Sequence, residues 1–259
     1  MADFLDTLAQ SAKATIASGY YEALTEATAP RVSLKKAIQE AKHAPVITEI
    51  KMASPSAGTI RENIEPRHIA EKMEKGGAVG ISVLTEPKHF KGSLRSLVEA
   101  RRIVKLPILM KDIILSPVQL EAASKLGANV VLLIVALFDR EYCECSLNGM
   151  IDAAHSKGLE VLLETHTTEE FQVAVGTRTD LVGINNRNLA TLKVDLNVTK
   201  QILEQNNTED KIIVSESGIN TPADLRFLSL YGAQAFLVGS AIMLAGNIEE
   251  KVKEFVSAL

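Results

Sequence analysis

Four charged residues sit at or near the ends of apolar runs. They are Glu49 and Lys51 in Val46–Lys51, Lys111 closing Ile108–Lys111, and Glu164 closing Glu160–Glu164. In an extended chain successive side chains point to opposite faces. Glu49 and Lys51 therefore share a face with Ile47, Lys111 shares one with Leu109, and Glu164 shares one with Leu162. If those aliphatic residues point into a core, so do the charges. Burying an unpaired charge is costly, so several together need partners or a task. The chemistry open to such a set is proton transfer beside an anion. A partly desolvated lysine donates a proton or holds an anion, and a nearby glutamate accepts a proton. A structural ion-pair cluster is the other reading of the same four residues. Asn185 extends the pattern, sharing parity with Leu181 and Gly183, and Arg187 continues it.

The elements that would position these groups recur along the chain. Short apolar runs fall at Pro45–Lys51, Ala78–Thr85, Pro107–Lys111, Asn129–Ala136, Glu160–Glu164, Leu181–Asn185, Lys211–Glu216 and Ala235–Gly239. They are rich in Val, Ile and Leu, as buried parallel strands are. Amphipathic stretches lie between them. Proline stands at plausible first helical positions in Ser116-Pro117 and Thr221-Pro222, and glycine follows helices at Gly127 and Gly232. Eight βα units predict a (β/α)8 barrel, whose active site forms at the C-terminal ends of the strands. That is the end at which the charged residues stand. An open doubly wound sheet would show a glycine-rich fingerprint after the first strand, and Lys51-Met52-Ala53-Ser54-Pro55 is not one. Residues 45–259 are expected to form the barrel and residues 1–44 a helical extension packed across one end of it, all within a single domain 1–259. In the extension Leu34, Ala37, Ile38 and Ala41 form a helical stripe, and Phe4, Leu5 and Leu8 mark another helix.

The last two units carry a phosphate signal. The seventh run continues into Ser217-Gly218-Ile219 and the eighth into Gly239-Ser240. Barrels bind phosphate with the loops after strands 7 and 8, where glycines let backbone N–H groups approach the oxygens. Gly218 and Gly239 fit that use, and Ser240 adds a hydroxyl. The substrate class is thus a small phosphorylated molecule.

Bulk properties exclude several other partners. The net charge of −4 lacks the basic footprint of a nucleic-acid binder. The longest apolar run, Val130–Phe138, is about half the ~20 residues of a membrane helix. The five histidines lack paired ligand spacing, so neither a metal nor another cofactor is expected, and His166, just past Glu164, reads as a loop histidine. Cys143 and Cys145 are expected as reduced thiols, and with no signal-peptide pattern at the N-terminus the expected compartment is the cytoplasm. Ser-His-Asp catalysis has no Gly-x-Ser-x-Gly elbow here.

The segments Glu49-Ile-Lys51-Met-Ala-Ser54-Pro55-Ser56, Ser82-Val-Leu-Thr85-Glu86, Pro107-Ile-Leu-Met-Lys111-Asp112, Gly183-Ile-Asn185-Asn-Arg187-Asn188-Leu189, Ser215-Glu216-Ser217-Gly218-Ile219 and Val238-Gly239-Ser240 resemble the indole-3-glycerol-phosphate synthases of tryptophan biosynthesis. The resemblance covers nearly the whole chain. It implies cofactor-free ring closure of 1-(2-carboxyphenylamino)-1-deoxyribulose 5-phosphate, with loss of carbon dioxide and water. It further implies that Lys111 is the general acid, that Glu164 is the acid/base of the later proton removal, and that Lys51, tuned by Glu49, holds the anionic substrate and assists proton transfer. Asn185 and Ser217 would support the reacting centre. Arg187 and Ser54 would bind the anthranilate carboxylate, and Glu216 would position the sugar or Arg187. Gly218, Gly239 and Ser240 would take the phosphate. Ile81, Leu84, Phe90 and Leu132 would wall the aryl ring. The family commonly has phenylalanine after Lys111-Asp112, where this chain has Ile113. One aromatic wall is therefore missing. A monomer or weak homodimer is expected.

Competing readings remain at this point. The related phosphoribosylanthranilate isomerases use a cysteine on the first strand, and this chain has none there. A Schiff-base lyase on Lys111 or Lys51 and a non-catalytic phosphate-binding barrel are the other two.

Overall fold

The computed structural model describes residues 3–22, 30, 32–54, 58–60, 65–208 and 210–259. Eight parallel strands close into a barrel: β1 (Val46–Ile50), β2 (Gly80–Leu84), β3 (Ile108–Lys111), β4 (Val130–Ile134), β5 (Glu160–Thr165), β6 (Leu181–Asn185), β7 (Ile212–Glu216) and β8 (Ala235–Val238). Each strand pairs with its chain neighbours, and β8 closes the ring on β1 with Ile47 opposite Leu237. Helices follow the strands on the outside, as a (β/α)8 barrel requires. A two-stranded hairpin of Ala53–Ser54 and Gly58–Thr59 leads out of β1.

Strand alternation sorts the core into two shells. Ile47, Leu109, Leu132, Leu162, Leu181, Val214 and Leu237 fill the barrel interior. Val46, Val83, Met110, Val131, Leu163 and Phe236 face outward and pack under the helices. The inward parity carries Glu49, Lys111, Glu164, Asn185 and Glu216 to the C-terminal mouth, where Leu84 pairs with Lys111, Ile134 with Glu164 and Asn185 with Glu216.

The strand boundaries follow the sequence to within two residues, and one of the differences has a physical cause. In Asn129–Ala136 the last two residues belong to a helix, Val135–Asp139, that starts directly from Ile134. A continuous apolar run cannot distinguish the end of a buried strand from a buried helical turn.

The N-terminal segment departs from expectation in its placement. Helix α1 (Phe4–Ala17) buries Leu5, Leu8, Ala9 and Ala12 against the interior shell at the C-terminal mouth. Its start is fixed by a capping box between Asp3 and Asp6. Arg140 bonds both carboxylates, at 2.8 and 2.7 Å, and the Tyr142 hydroxyl donates to Asp6 at 3.0 Å. Helix α2 (Leu34–Gln39) sits at the opposite end. Leu34 lies so close to Gly80, the first residue of β2, that a Cβ there would come within 2.7 Å of its Cδ1. The Glu160 carboxylate, at the start of β5, accepts the Leu34 and Lys35 N–H groups at 2.8 and 3.2 Å. The extension therefore caps both ends of the barrel, not one. Periodicity defines which helical faces are apolar, but says nothing of which end each face covers.

Candidate active site

The interior charges form two bonded groups. Lys111 Nζ lies 3.0 Å from Glu164 Oε2 and 3.2 Å from Glu216 Oε2. Asn185 Nδ2 donates to Glu164 Oε1 at 2.9 Å, and the Arg187 N–H donates to Asn185 Oδ1 at 2.9 Å. A second pair, Lys51 and Glu49, meets at 2.8 Å on β1 and the residue after it. Glu49, Glu164 and Glu216 are almost fully buried.

The electrostatics keep Lys111 charged. Burial opposes its ammonium, but the summed attraction of Glu164, Glu216 and Glu49 outweighs burial and raises its pKa. The Glu216 carboxyl is pushed up to about 7, mainly by burial and against the pull of Lys111. Its Oε1 has no hydrogen-bond partner among the described residues, although it is buried. Gly183 makes this placement possible, because a Cβ there would strike that oxygen. Burial also lowers the Arg187 pKa, with Glu49 acting the other way. Arg187 donates from Nη1 to the Leu192 carbonyl at 3.1 Å.

These groups open into a cavity of about 250 Å³ at the barrel mouth. Glu49, Lys51, Lys111, Glu164, Asn185, Arg187 and Glu216 line it, with Ser217, Gly218, Gly239 and Ser240 in the loops after β7 and β8. The chain turns sharply there, with Ser217 and Gly218 at φ 67° and 82°. A Cβ on Gly239 would come within 2.5 Å of Glu49 Oε1 and 2.9 Å of Lys51 Nζ. The loop after β8 therefore brings bare backbone to the charged set, while Gly218 packs against Val194 and Leu196. Leu84, Phe90, Ile113, Leu132 and Ile134 form the apolar side. The Ser54 side chain, and Pro55 and Ser56 after it, lie outside the described residues. Among the described residues no cluster of three or more His, Cys, Asp or Glu side chains could hold a metal ion. None of the described helices is long and apolar enough to cross a membrane.

One wall residue is corrected. Ile81 was expected beside the aryl ring, but it is fully buried in the outer shell under the helices. On β2 the inward parity belongs to Gly80, Ser82 and Leu84, and Ile81 and Val83 alternate with them onto the outer face.

Comparison with known proteins now bears on the site. Residues 5–255 match the family model described as indole-3-glycerol phosphate synthase. An indole-3-glycerol phosphate synthase of Methanocaldococcus jannaschii is 45% identical over 230 residues, spanning 87% of this chain and 84% of that protein. One from Caldanaerobacter subterraneus subsp. tengcongensis is 41% identical over 237 residues, spanning 92% and 89%. The chain belongs to the indole-3-glycerol phosphate synthase family.

Among solved structures, the fold is shared with N-acetylmannosamine-6-phosphate 2-epimerase from Clostridium perfringens, at TM-score 0.60 and 16% identity over 83% of this chain and 93% of that one. It is shared equally with thiamine phosphate pyrophosphorylase from Pyrococcus furiosus, at TM-score 0.60 and 16% identity over 87% and 97%. At that identity the likeness is one of fold alone.

In this indole-3-glycerol phosphate synthase family member, two parts of the cavity escaped sequence reasoning. Phe4 and Leu8 of α1 also line it, and Phe4 packs edge-on against His89 at 5.6 Å. Their i, i+4 spacing was the available signal. Glu86 is the second part. Its buried carboxylate accepts the N–H groups of Lys88, His89 and Phe90 at 2.9, 2.7 and 2.9 Å, and so shapes the loop that presents Phe90. Its place two residues beyond β2 gave no hint of those partners.

Proposed function

We propose that this chain closes the ring of 1-(2-carboxyphenylamino)-1-deoxyribulose 5-phosphate, with loss of carbon dioxide and water, to give indole-3-glycerol phosphate. The observation that carries the reading is the Lys111 ammonium held between Glu164 and Glu216 at the barrel mouth, in a chain of this family.

The reaction makes three demands of the protein. The ketone must be activated as a ring carbon attacks it, and Lys111 is the acid that gives its oxygen a proton. Carbon dioxide then leaves the attacking ring carbon. Finally the hydroxyl leaves as water and a C–H proton is removed, with Glu164 as acid/base; Asn185 holds one oxygen of that carboxylate. Lys51, with Glu49 beside it, holds the anionic substrate and assists proton transfer. Ser217 supports the reacting centre. Glu216 orients Lys111 and, through it, the sugar. Arg187, with Ser54, takes the substrate carboxylate. Backbone N–H groups near Gly218 and Gly239, with the Ser240 hydroxyl, take the phosphate. Leu84, Phe90, Leu132 and Ile113 wall the aryl ring, Ile113 by shape alone because it lacks an aromatic face. Preorganised charges in a dry site stabilise the developing oxyanion better than water does.

The reading needs no cofactor. It takes the chain as one barrel domain, 1–259, working in the cytoplasm as a monomer or weak homodimer and without nucleic acid or membrane as partner. Incubation of the purified protein with the anilino-deoxyribulose phosphate should produce indole fluorescence. Absence of product at any enzyme concentration would overturn the reading. Borohydride added during turnover should leave Lys111 and Lys51 unmodified, whereas a Schiff-base lyase would be trapped.

A further inference from the structure

The proton balance of this reaction does not close inside the site. The ketone oxygen takes one proton as the C–C bond forms. The hydroxyl takes a second as it leaves as water. One proton returns when the C–H bond breaks to form the indole. The carboxylate leaves as carbon dioxide and returns none. Each turnover therefore draws one proton from solvent. Lys111 and Glu164, 3.0 Å apart, can recycle the returned proton between them. The other must come from outside while substrate and product occupy the main cavity.

A second cavity, of about 150 Å³, reaches the same carboxylate from the loops after β5 and β6. Glu164, Asn185 and Arg187 line both cavities; His166, Glu170 and Arg140 line only the second. Burial falls along this path, from Glu164 at 3% exposed through half-buried His166 to exposed Thr167. His166 is held in one tautomer. Its Nδ1 lies 2.7 Å from the Asn185 carbonyl, which only accepts, so Nδ1 carries the hydrogen. Nε2 is then the nitrogen left to accept and pass on a proton. The His166 N–H donates to Glu170 at 2.6 Å, which ties the residue to the following helix, Thr168–Val175.

We infer that His166 is the proton relay of this site, taking a proton from solvent through the second cavity and passing it to the Glu164 carboxylate. Transfer breaks the Nε2–H bond and forms an O–H bond on Glu164; the neutral imidazole then reloads from water. The charged groups around it are Glu164, Glu170, Arg140 and Arg187, so acidic and basic neighbours are balanced across the cavity. His166 acts through Glu164 and does not touch substrate.

The inference rests on the proposed reaction, and its test separates the two. His166→Asn keeps a side-chain donor for the Asn185 carbonyl but cannot relay a proton; His166→Ala opens room for added imidazole. The Lys111 and Lys51 ammonium groups carry the two protons that the ketone oxygen and the hydroxyl take, and the C–H bond returns one, so the first turnover draws none from solvent. Stopped-flow indole fluorescence should therefore show one equivalent of product per site at the wild-type rate. Later turnovers should be slowed about tenfold or more. KM should stay within about twofold of wild type, and imidazole should restore the later turnovers of His166→Ala. A first turnover slowed as much as the later ones, steady-state rates equal to wild type, or failure of imidazole to rescue would overturn the relay. Absence of product from the wild type would overturn the proposed reaction instead.

Discussion

Lys111 and Asp112 are chain neighbours, yet they stand in opposite kinds of buried polar site. Lys111 points into the barrel, where its partners carry net negative charge and one oxygen of Glu216 is left without a bond. Asp112 turns toward the N-terminal segment, and both its oxygens are taken. Oδ2 accepts from the Thr85 hydroxyl at 2.6 Å and the Tyr21 hydroxyl at 3.1 Å, and Oδ1 accepts from the Ile113 N–H at 2.8 Å. Tyr20 adds a bond to the Thr85 carbonyl at 3.3 Å. A buried polar atom left without a bond needs an explanation, and for Glu216 a place on the cavity supplies one. Burial and charge alone do not separate these two sites. The unpartnered Glu216 oxygen beside Lys111 does, since Glu164 and Asp112 alike have both oxygens bonded.

The largest effects should come from breaking the inner site. Lys111→Ala and Glu164→Gln should each lower turnover by about 10²–10⁴-fold with the circular dichroism spectrum unchanged. A loss under about tenfold for both would remove the assignment. Gly183→Ala tests the packing behind that site. Its Cβ must displace the Glu216 carboxylate, and with it the Lys111 ammonium. A displacement of this size should cost about 10- to 100-fold in kcat, with little change in melting temperature.

Changes at the outer site should appear in stability instead. Burial pushes the Asp112 carboxyl up to about 6, with its three donors pulling the other way. The unfolded value is about 3.9, so the native state binds this proton more tightly. Its contribution to stability is present below about pH 4 and is lost as pH rises through about 6. Relative to Asp112→Asn, the wild type should lose roughly 2 kcal/mol between pH 4 and pH 7, at about 1.4 kcal/mol per pKa unit. Urea unfolding of both proteins across that range measures this, and parallel curves would contradict it. Tyr21→Phe removes one hydroxyl from a site that keeps its other donors. It should cost about 1 kcal/mol in unfolding free energy and leave kcat unchanged.

The sequence made the inner site more legible than the outer one, for a physical reason. A strand imposes a period of two, so Glu49, Lys111, Glu164 and Asn185 could each be assigned a face from their aliphatic neighbours. All four point inward. The same period separates Ile81 from Leu84 on β2, and Ile81, placed beside the aryl ring with it, was assigned to the wrong shell. Helical periodicity marked α1 and α2 but not the barrel end each would cover, because that depends on contacts distant in sequence. Asp112 was invisible for the same reason. Its partners Tyr21 and Thr85 are 91 and 27 residues away, and no local spacing announces them.

The contrast between the two sites is tested most directly by one paired assay. Lys111→Ala and Asp112→Asn are compared at saturating anilino-deoxyribulose phosphate, with indole fluorescence as the readout. Asp112→Asn should keep kcat within about threefold of wild type while Lys111→Ala falls at least about a hundredfold below it. Comparable losses from the two neighbours would mean that the interior charged set around Lys111 is not the working site of this barrel.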